Sequence, residues 1–181
     1  MSQPSEYVYK GQKISVRVME HILPSGTRHA YEIVEYIGSV AILPLLDKDT
    51  VVLLKQYRPA ISKWIYEVPA GTLQVHEDPH ECASRELEEE TGYKARLYPA
   101  TFDMYIAPGY STEKMRLFIA TNLILGNSHP NESEEIKVEK LSVKKVLHMI
   151  NTNVIRDAKT IALVLYYMWF IRAHLETNDL T

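Results

Sequence analysis

The chain has 181 residues, 46% of them hydrophobic, which suffices for one domain with a substantial core and is too short for two comfortable ones. Its formal charge of −3 argues against a protein that works by gripping nucleic-acid backbone. The single cysteine excludes an intrachain disulfide, and the most apolar run, IALVLYYMWFI at 161–171, is too short to span a bilayer as a helix.

The opening MSQPSEYVYKGQK is polar and lacks an apolar signal segment, so a soluble, cytoplasmic protein is expected. ISVRVMEHIL and TRHAYEIVEY, on either side of Pro24-Ser25-Gly26, read as a hairpin. Residues 1–37 are therefore set apart as an N-terminal strand region, with the main domain at 38–181. SVAILPL and VVLLKQY flank the turn Asp47-Lys48-Asp49 and form a more apolar hairpin, suited to a sheet covered on both faces. A helix is expected from Pro79 to Thr91. Further strands are expected at 95–104, 115–122 and 136–140, and two helices at 143–151 and 158–175. The order of strands, helix, strands and helices predicts an α/β domain with a mixed sheet and helices on its faces.

The helix at Pro79 has its own punctuation. Asp78 reads as the N-cap, Pro79 as a first residue with no amide to leave unpaired, and Glu81 as the return arm of a capping box. Gly92 can take the left-handed conformation that ends a helix. Within it Glu86 precedes Glu89 and Glu90 by three and four residues, so three carboxylates share a face. Such crowding calls for a counterion. Arg85 is spaced to pair with Glu89, and a merely solvated acidic face is the plain alternative. Against that alternative stand the offsets of Gly71, Glu77, Arg85 and Gly92. Clustered carboxylates suit Mg²⁺ or Mn²⁺, which keep several waters and bridge to phosphates. Cys82, inside the same helix, reads as a packing residue.

Gly71 to Tyr93, GTLQVHEDPHECASRELEEETGY, fits G-x5-E-x7-R-E-U-x-E-E-x-G-U, with U a bulky apolar residue, and so resembles the box of the Nudix hydrolases. Tyr93 departs mildly from the aliphatic consensus. KQYRPAISKWIYEVPAG, APGYSTE and RDAKTIALVL resemble one branch, the ADP-ribose pyrophosphatases, with Pro108 fifteen residues beyond Tyr93. The resemblance implies an α/β/α sandwich and metal-dependent hydrolysis of ADP-ribose to AMP and ribose 5-phosphate. It implies two or three Mg²⁺ ions, or Mn²⁺, held by the Ala70 carbonyl, Glu86 and Glu90, with Glu89 assisting. Glu77 and Arg85 would be structural, like Gly71 and Gly92.

A further acid is expected from a loop beyond the box, where Glu132, Glu134 and Glu135 are the candidates and Glu134 is favoured as ligand and base. Arg58 would face a phosphate, with a structural pair to Glu67 as the alternative. Pro108 and Gly109 would shape a loop facing the terminal ribose, and Ser111 and Glu113 would bind its hydroxyls, with a plain turn as the alternative. The resemblance also implies a homodimer through the N-terminal strands, which would help build the adenosine side of the pocket. Tyr31 and Tyr36 could stack on adenine, but with twelve tyrosines in the chain a core or interface role is the stronger reading for each. The box alone does not separate ADP-ribose from another nucleoside diphosphate sugar or a dinucleotide such as NADH. A module that senses ADP-ribose without cleaving it usually carries a damaged box, and this box keeps every acid.

Overall fold

Seven consecutive buried residues make β4 (Ser39–Asp47) the centre of the molecule. In the computed structural model, which describes residues 5–126 and 135–172, its two faces serve different cores. Ala41, Leu43 and Leu45 point to one cluster, and Val40 and Ile42 to the other, as the two-residue period of a strand requires. The turn at Asp47 returns the chain as β5 (Thr50–Arg58), with Asp47 accepting a hydrogen bond from the Asp49 amide at 2.7 Å.

After a short 3-10 turn at Pro59–Ile61 come two brief strands, β6 (Lys63–Glu67) on β5 and β7 (Ala70–Thr72) on β4. Neither was expected from the sequence. Helix α1 (Pro79–Thr91) follows, then β8 (Tyr93–Tyr105), β9 (Lys114–Leu125) and β10 (Ile136–Ser142). Among the described residues these strands make one sheet with the path β10-β5-β4-β9-β8. It is mixed because β4 and β9 run parallel, Ser39 opposite Met115, while the other pairs are antiparallel.

Helix α1 covers one face through Cys82, Ala83 and Leu87. Helices α2 (Val143–Asn151) and α3 (Ala158–Tyr166) cover the other through Val143, Val146, Leu163 and Val164. The result is the expected α/β/α sandwich. The last helix departs from expectation at Tyr167, where the backbone widens into a π-helical segment, Tyr167–Arg172. The Tyr167 hydroxyl donates to the Lys48 carbonyl at 2.9 Å and Arg172 pairs with Asp49 at 2.7 Å, so both ends of the segment are drawn to the β4–β5 turn.

The N-terminal hairpin is present as β2 (Ile14–Ile22) and β3 (Arg28–Tyr36), in full register from Ile14–Tyr36 to Ile22–Arg28. A strand not foreseen, β1 (Ser5–Lys10), completes a separate three-stranded sheet. This sheet meets the main domain at the 107–112 loop. The Val34 amide donates to the Tyr110 carbonyl at 2.7 Å, and the Thr112 amide donates to the Val34 carbonyl at 3.0 Å. No helix among the described residues is long and apolar enough to cross a membrane.

Candidate active site

The segment from Gly71 to Gly92 folds as a loop locked onto a helix. Asp78 caps α1 by accepting from the His80 amide at 2.8 Å, Pro79 is the first helical residue, and Gly92 closes the helix at φ 75°. No hydrogen bond from Glu81 completes a capping box among the described residues; the loop is held by Arg85 instead. Its guanidinium donates Nε and Nη2 to the two oxygens of Glu77 at 2.9 and 3.1 Å, and Glu77 also accepts from the Gln74 amide at 2.8 Å. Arg85, with the Gln74 amide, holds the Glu77 carboxyl down at about 2, and Glu77 and Glu86 in turn raise the guanidinium above its ordinary range. Cys82 is fully buried beneath this pair, and burial, with Glu77 beside it, pushes the thiol up to about 12. It is a packing residue.

Arg85 also answers the crowding of the carboxylates. Its Nη1 donates to Glu86 at 2.7 Å and to Glu89 at 3.1 Å. Glu86 and Glu90 line a cleft of about 420 Å³ with Ala70, Gly71, Arg85, Arg58, Glu113 and Lys159, whereas Glu89 lies outside that lining. The buried Glu90 accepts from the Ala70 amide at 2.9 Å, which fixes β7 against the helix. Gly71 permits a close approach: a Cβ there would collide with the Glu86 carboxylate, the end of a flexible side chain that would have to shift.

Among the described residues no group of three or more His, Cys, Asp or Glu side chains converges as a ready-made metal cage. The donor chemistry nonetheless fits a hard divalent ion. Glu86 and Glu90 present carboxylates on one wall of the cleft, and Gly71 leaves the Glu86 carboxylate a cradle that a side chain would fill.

The other expected residues divide. Arg58 lines the cleft, and its guanidinium is bidentate with Glu67 at 2.6 and 2.8 Å, the structural pair given as the alternative. Glu113 lines the cleft and accepts from the Ser39 hydroxyl at 2.8 Å. Pro108, Gly109 and Ser111 do not join it; they line a separate hollow of about 310 Å³ against Met19, His21, Tyr31 and Ile33 of the N-terminal sheet. The two spaces are linked through Tyr36, whose side chain lines the cleft and whose amide donates to the Thr112 hydroxyl at 3.0 Å. Burial raises the Tyr36 phenol, which shares a short hydrogen bond with Thr72.

Glu132 and Glu134 lie outside the described residues. Glu135 is exposed, and its carbonyl accepts from the Tyr57 amide at 3.2 Å, which brings it to the Arg58 end of β5. Sequence reasoning assigned no role to Lys159 or Ser39. Lys159 stands in RDAKTIALVL, a segment singled out by resemblance, and that was its one signal.

A model of the NUDIX domain matches residues 35–164. The ADP-ribose pyrophosphatase of Bacillus subtilis strain 168 is 33% identical over 163 residues, covering 89% of this chain and 88% of that protein. The GDP-mannose pyrophosphatase of Citrobacter koseri is 35% identical over 138 residues, 71% of this chain and 72% of its own. Among solved structures, one described as an ADP compounds hydrolase superposes with a TM-score of 0.82 at 20% identity, over 94% of this chain and 93% of that one.

Proposed function

This chain belongs to the Nudix family of hydrolases, and from that premise we propose that it cleaves the diphosphate of ADP-ribose to AMP and ribose 5-phosphate. The observation that carries the reading is a cleft whose lining Glu86, Glu90 and Glu113 share with Arg58. The substrate is supported by the relative named an ADP-ribose pyrophosphatase, alike over nearly the whole chain.

In the reaction a water oxygen bonds to one phosphorus while that phosphorus loses its bond to the bridging oxygen, which leaves with the other phosphate. The Ala70 carbonyl, Glu86 and Glu90, with Glu89 and Glu134 assisting, would hold two or three Mg²⁺ or Mn²⁺ ions, which would supply charge neutralisation and a more acidic water. Arg58 contributes a fixed positive charge toward the phosphates, and its Nε and Nη2 bonds to Glu67 hold the guanidinium at the cleft wall. Glu134 or Glu135 takes the proton from the attacking water. Glu113, steadied by Ser39, hydrogen bonds a ribose hydroxyl, while Pro108, Gly109 and Ser111 shape the rim next to it. The working unit is a cytoplasmic homodimer joined through the N-terminal strands at 1–37.

A second reading keeps the box and changes the groups on either side of the diphosphate. The GDP-mannose pyrophosphatase relative favours it, because the box addresses only the diphosphate that both substrates share. The test of the catalytic assignment common to both is Glu90→Gln, which keeps the shape and the acceptor for Ala70 but removes the charge. Activity is expected to fall by roughly a hundredfold or more, the scale on which positioned charge contributes to such barriers, with an unchanged circular dichroism spectrum. Near-wild-type turnover would sink the assignment.

A further inference from the structure

At the end of β6, Glu67 is only 1% exposed, yet both of its oxygens are engaged by cations. The Arg58 guanidinium donates Nε to one oxygen at 2.6 Å and Nη2 to the other at 2.8 Å, and the Lys159 ammonium donates to the second oxygen as well. Lys159 gives another hydrogen bond to Asp157 at 2.9 Å. Asp157 is the N-cap of α3 and accepts from the Thr160 amide at 3.0 Å, while the Thr160 hydroxyl accepts from the Val68 amide at 2.8 Å. The start of α3 is thus tied to the β6 end through two adjacent residues, Glu67 and Val68.

A buried carboxylate between two cations is a costly arrangement, since desolvation offsets much of the Coulombic gain and an apolar packing would serve stability as well. Burial by itself would raise the Glu67 carboxyl; the hydrogen bond from Arg58 and the charge of Lys159 outweigh it and hold the group ionised, below its ordinary value. What the arrangement accomplishes is geometric. Arg58 and Lys159, about a hundred residues apart in the chain, are placed on the lining of the same cleft as Glu86 and Glu90. Without Glu67 their like charges would push them apart, and two long side chains would regain their rotamer freedom.

We infer that Glu67 is a positioning residue whose carboxylate holds Arg58 and Lys159 side by side, and that Lys159 is a second cation for the substrate diphosphate. The inference rests on the reading of the cleft as a diphosphate site. An ammonium has three donors, and two go to Glu67 and Asp157, leaving the third for a phosphate oxygen in the cleft. The role is ground-state and transition-state binding alike, so it belongs in KM more than in kcat.

The experiment compares kcat and KM for ADP-ribose in the wild-type chain, Lys159→Met, Lys159→Arg and Glu67→Gln, with thermal unfolding followed in parallel. Lys159→Met and Glu67→Gln are each expected to raise KM roughly tenfold, as loss of a charge-assisted hydrogen bond implies, with kcat within about threefold. Lys159→Arg is expected to recover most of the loss. A purely structural role would lower the unfolding temperature and leave KM alone, and that outcome overturns the inference. Should Glu67→Gln fail to fold, the two lysine variants decide: an unchanged KM in Lys159→Met is fatal to it. If the wild type prefers another nucleoside diphosphate sugar, the substrate reading fails, and the same KM comparison on that compound tests the clamp. If the wild type turns over no diphosphate, calorimetric titration with ADP-ribose decides, since equal affinity of wild type and Lys159→Met overturns the clamp and weaker binding by the variant supports it.

Discussion

Gly71 is the residue at which local geometry and proposed chemistry meet most directly. Its backbone passes so close to Glu86 that any side chain must displace the carboxylate. Glu86 is the far end of a flexible side chain, so it can swing away without disturbing the core. Gly71→Ala should therefore cost less than about 1 kcal/mol in a denaturant melt, below the usual cost of overpacking a rigid core. Activity should nevertheless fall at least tenfold, on the scale expected when a reacting group is misplaced by about an ångström. An alanine variant with wild-type activity would show that Glu86 does not work from the position described. At this scale the sequence was informative because the box residues carry offsets that a helix must honour. Glu86 and Glu90, four apart, do reach the cleft, while Glu89 turns to Arg85 and lies outside its lining. What could not be read was which partner Arg58 would take, because its pair with Glu67 crosses strands and depends on the sheet register.

The loop and helix of the box behave as one element, fastened by Glu77 and Arg85. Glu77 ionises at about 2 in the folded chain against an ordinary value of 4.5, so the folded state favours its charged form. The sign follows from linkage: the contribution is complete above about pH 4.5 and is lost as the pH falls towards 2. The difference in unfolding temperature between wild type and Glu77→Gln should accordingly shrink over that window, and a gap that stays constant down to pH 2 would contradict the assignment.

Elements with local signals were legible. Helix α1 announced both ends through Asp78-Pro79 and Gly92, and α2 matched its expected 143–151. Strands β6 and β7 were not read, because three to five residues beside a turn give too little alternation to detect, and their pairing comes from β5 and β4. Strand β1 was missed for a different reason: its Tyr7, Val8 and Tyr9 are all exposed, so no buried face imposes a pattern. The π-helical segment at Tyr167–Arg172 answers to Lys48 and Asp49, more than a hundred residues away, and no local rule anticipates that.

At the scale of the whole molecule, the three-stranded N-terminal sheet stands apart from the sandwich and carries an apolar surface: Tyr7, Val8, Tyr9, Ile14 and Ile22 are all exposed. A second copy of the chain is the partner we propose for these exposed apolar residues. Multi-angle light scattering should give about twice the 20.8 kDa of one chain at micromolar concentration. A stable monomer would refute the dimer. The same sheet closes the hollow beside the 107–112 loop, so its removal should weaken substrate binding as well as association.

One carboxylate-lined cleft is proposed to hydrolyse a nucleoside diphosphate linked to ribose. The most direct measurement incubates the purified protein and Mg²⁺ with ADP-ribose, a panel of nucleotide sugars, NADH and a dinucleoside polyphosphate, and separates the products by anion exchange. The expected result is preferential release of AMP and ribose 5-phosphate from ADP-ribose, abolished by chelator. Faster cleavage of another panel member would contradict the substrate assignment while leaving the box chemistry in place, and no metal-dependent cleavage of any member would contradict hydrolysis at this cleft.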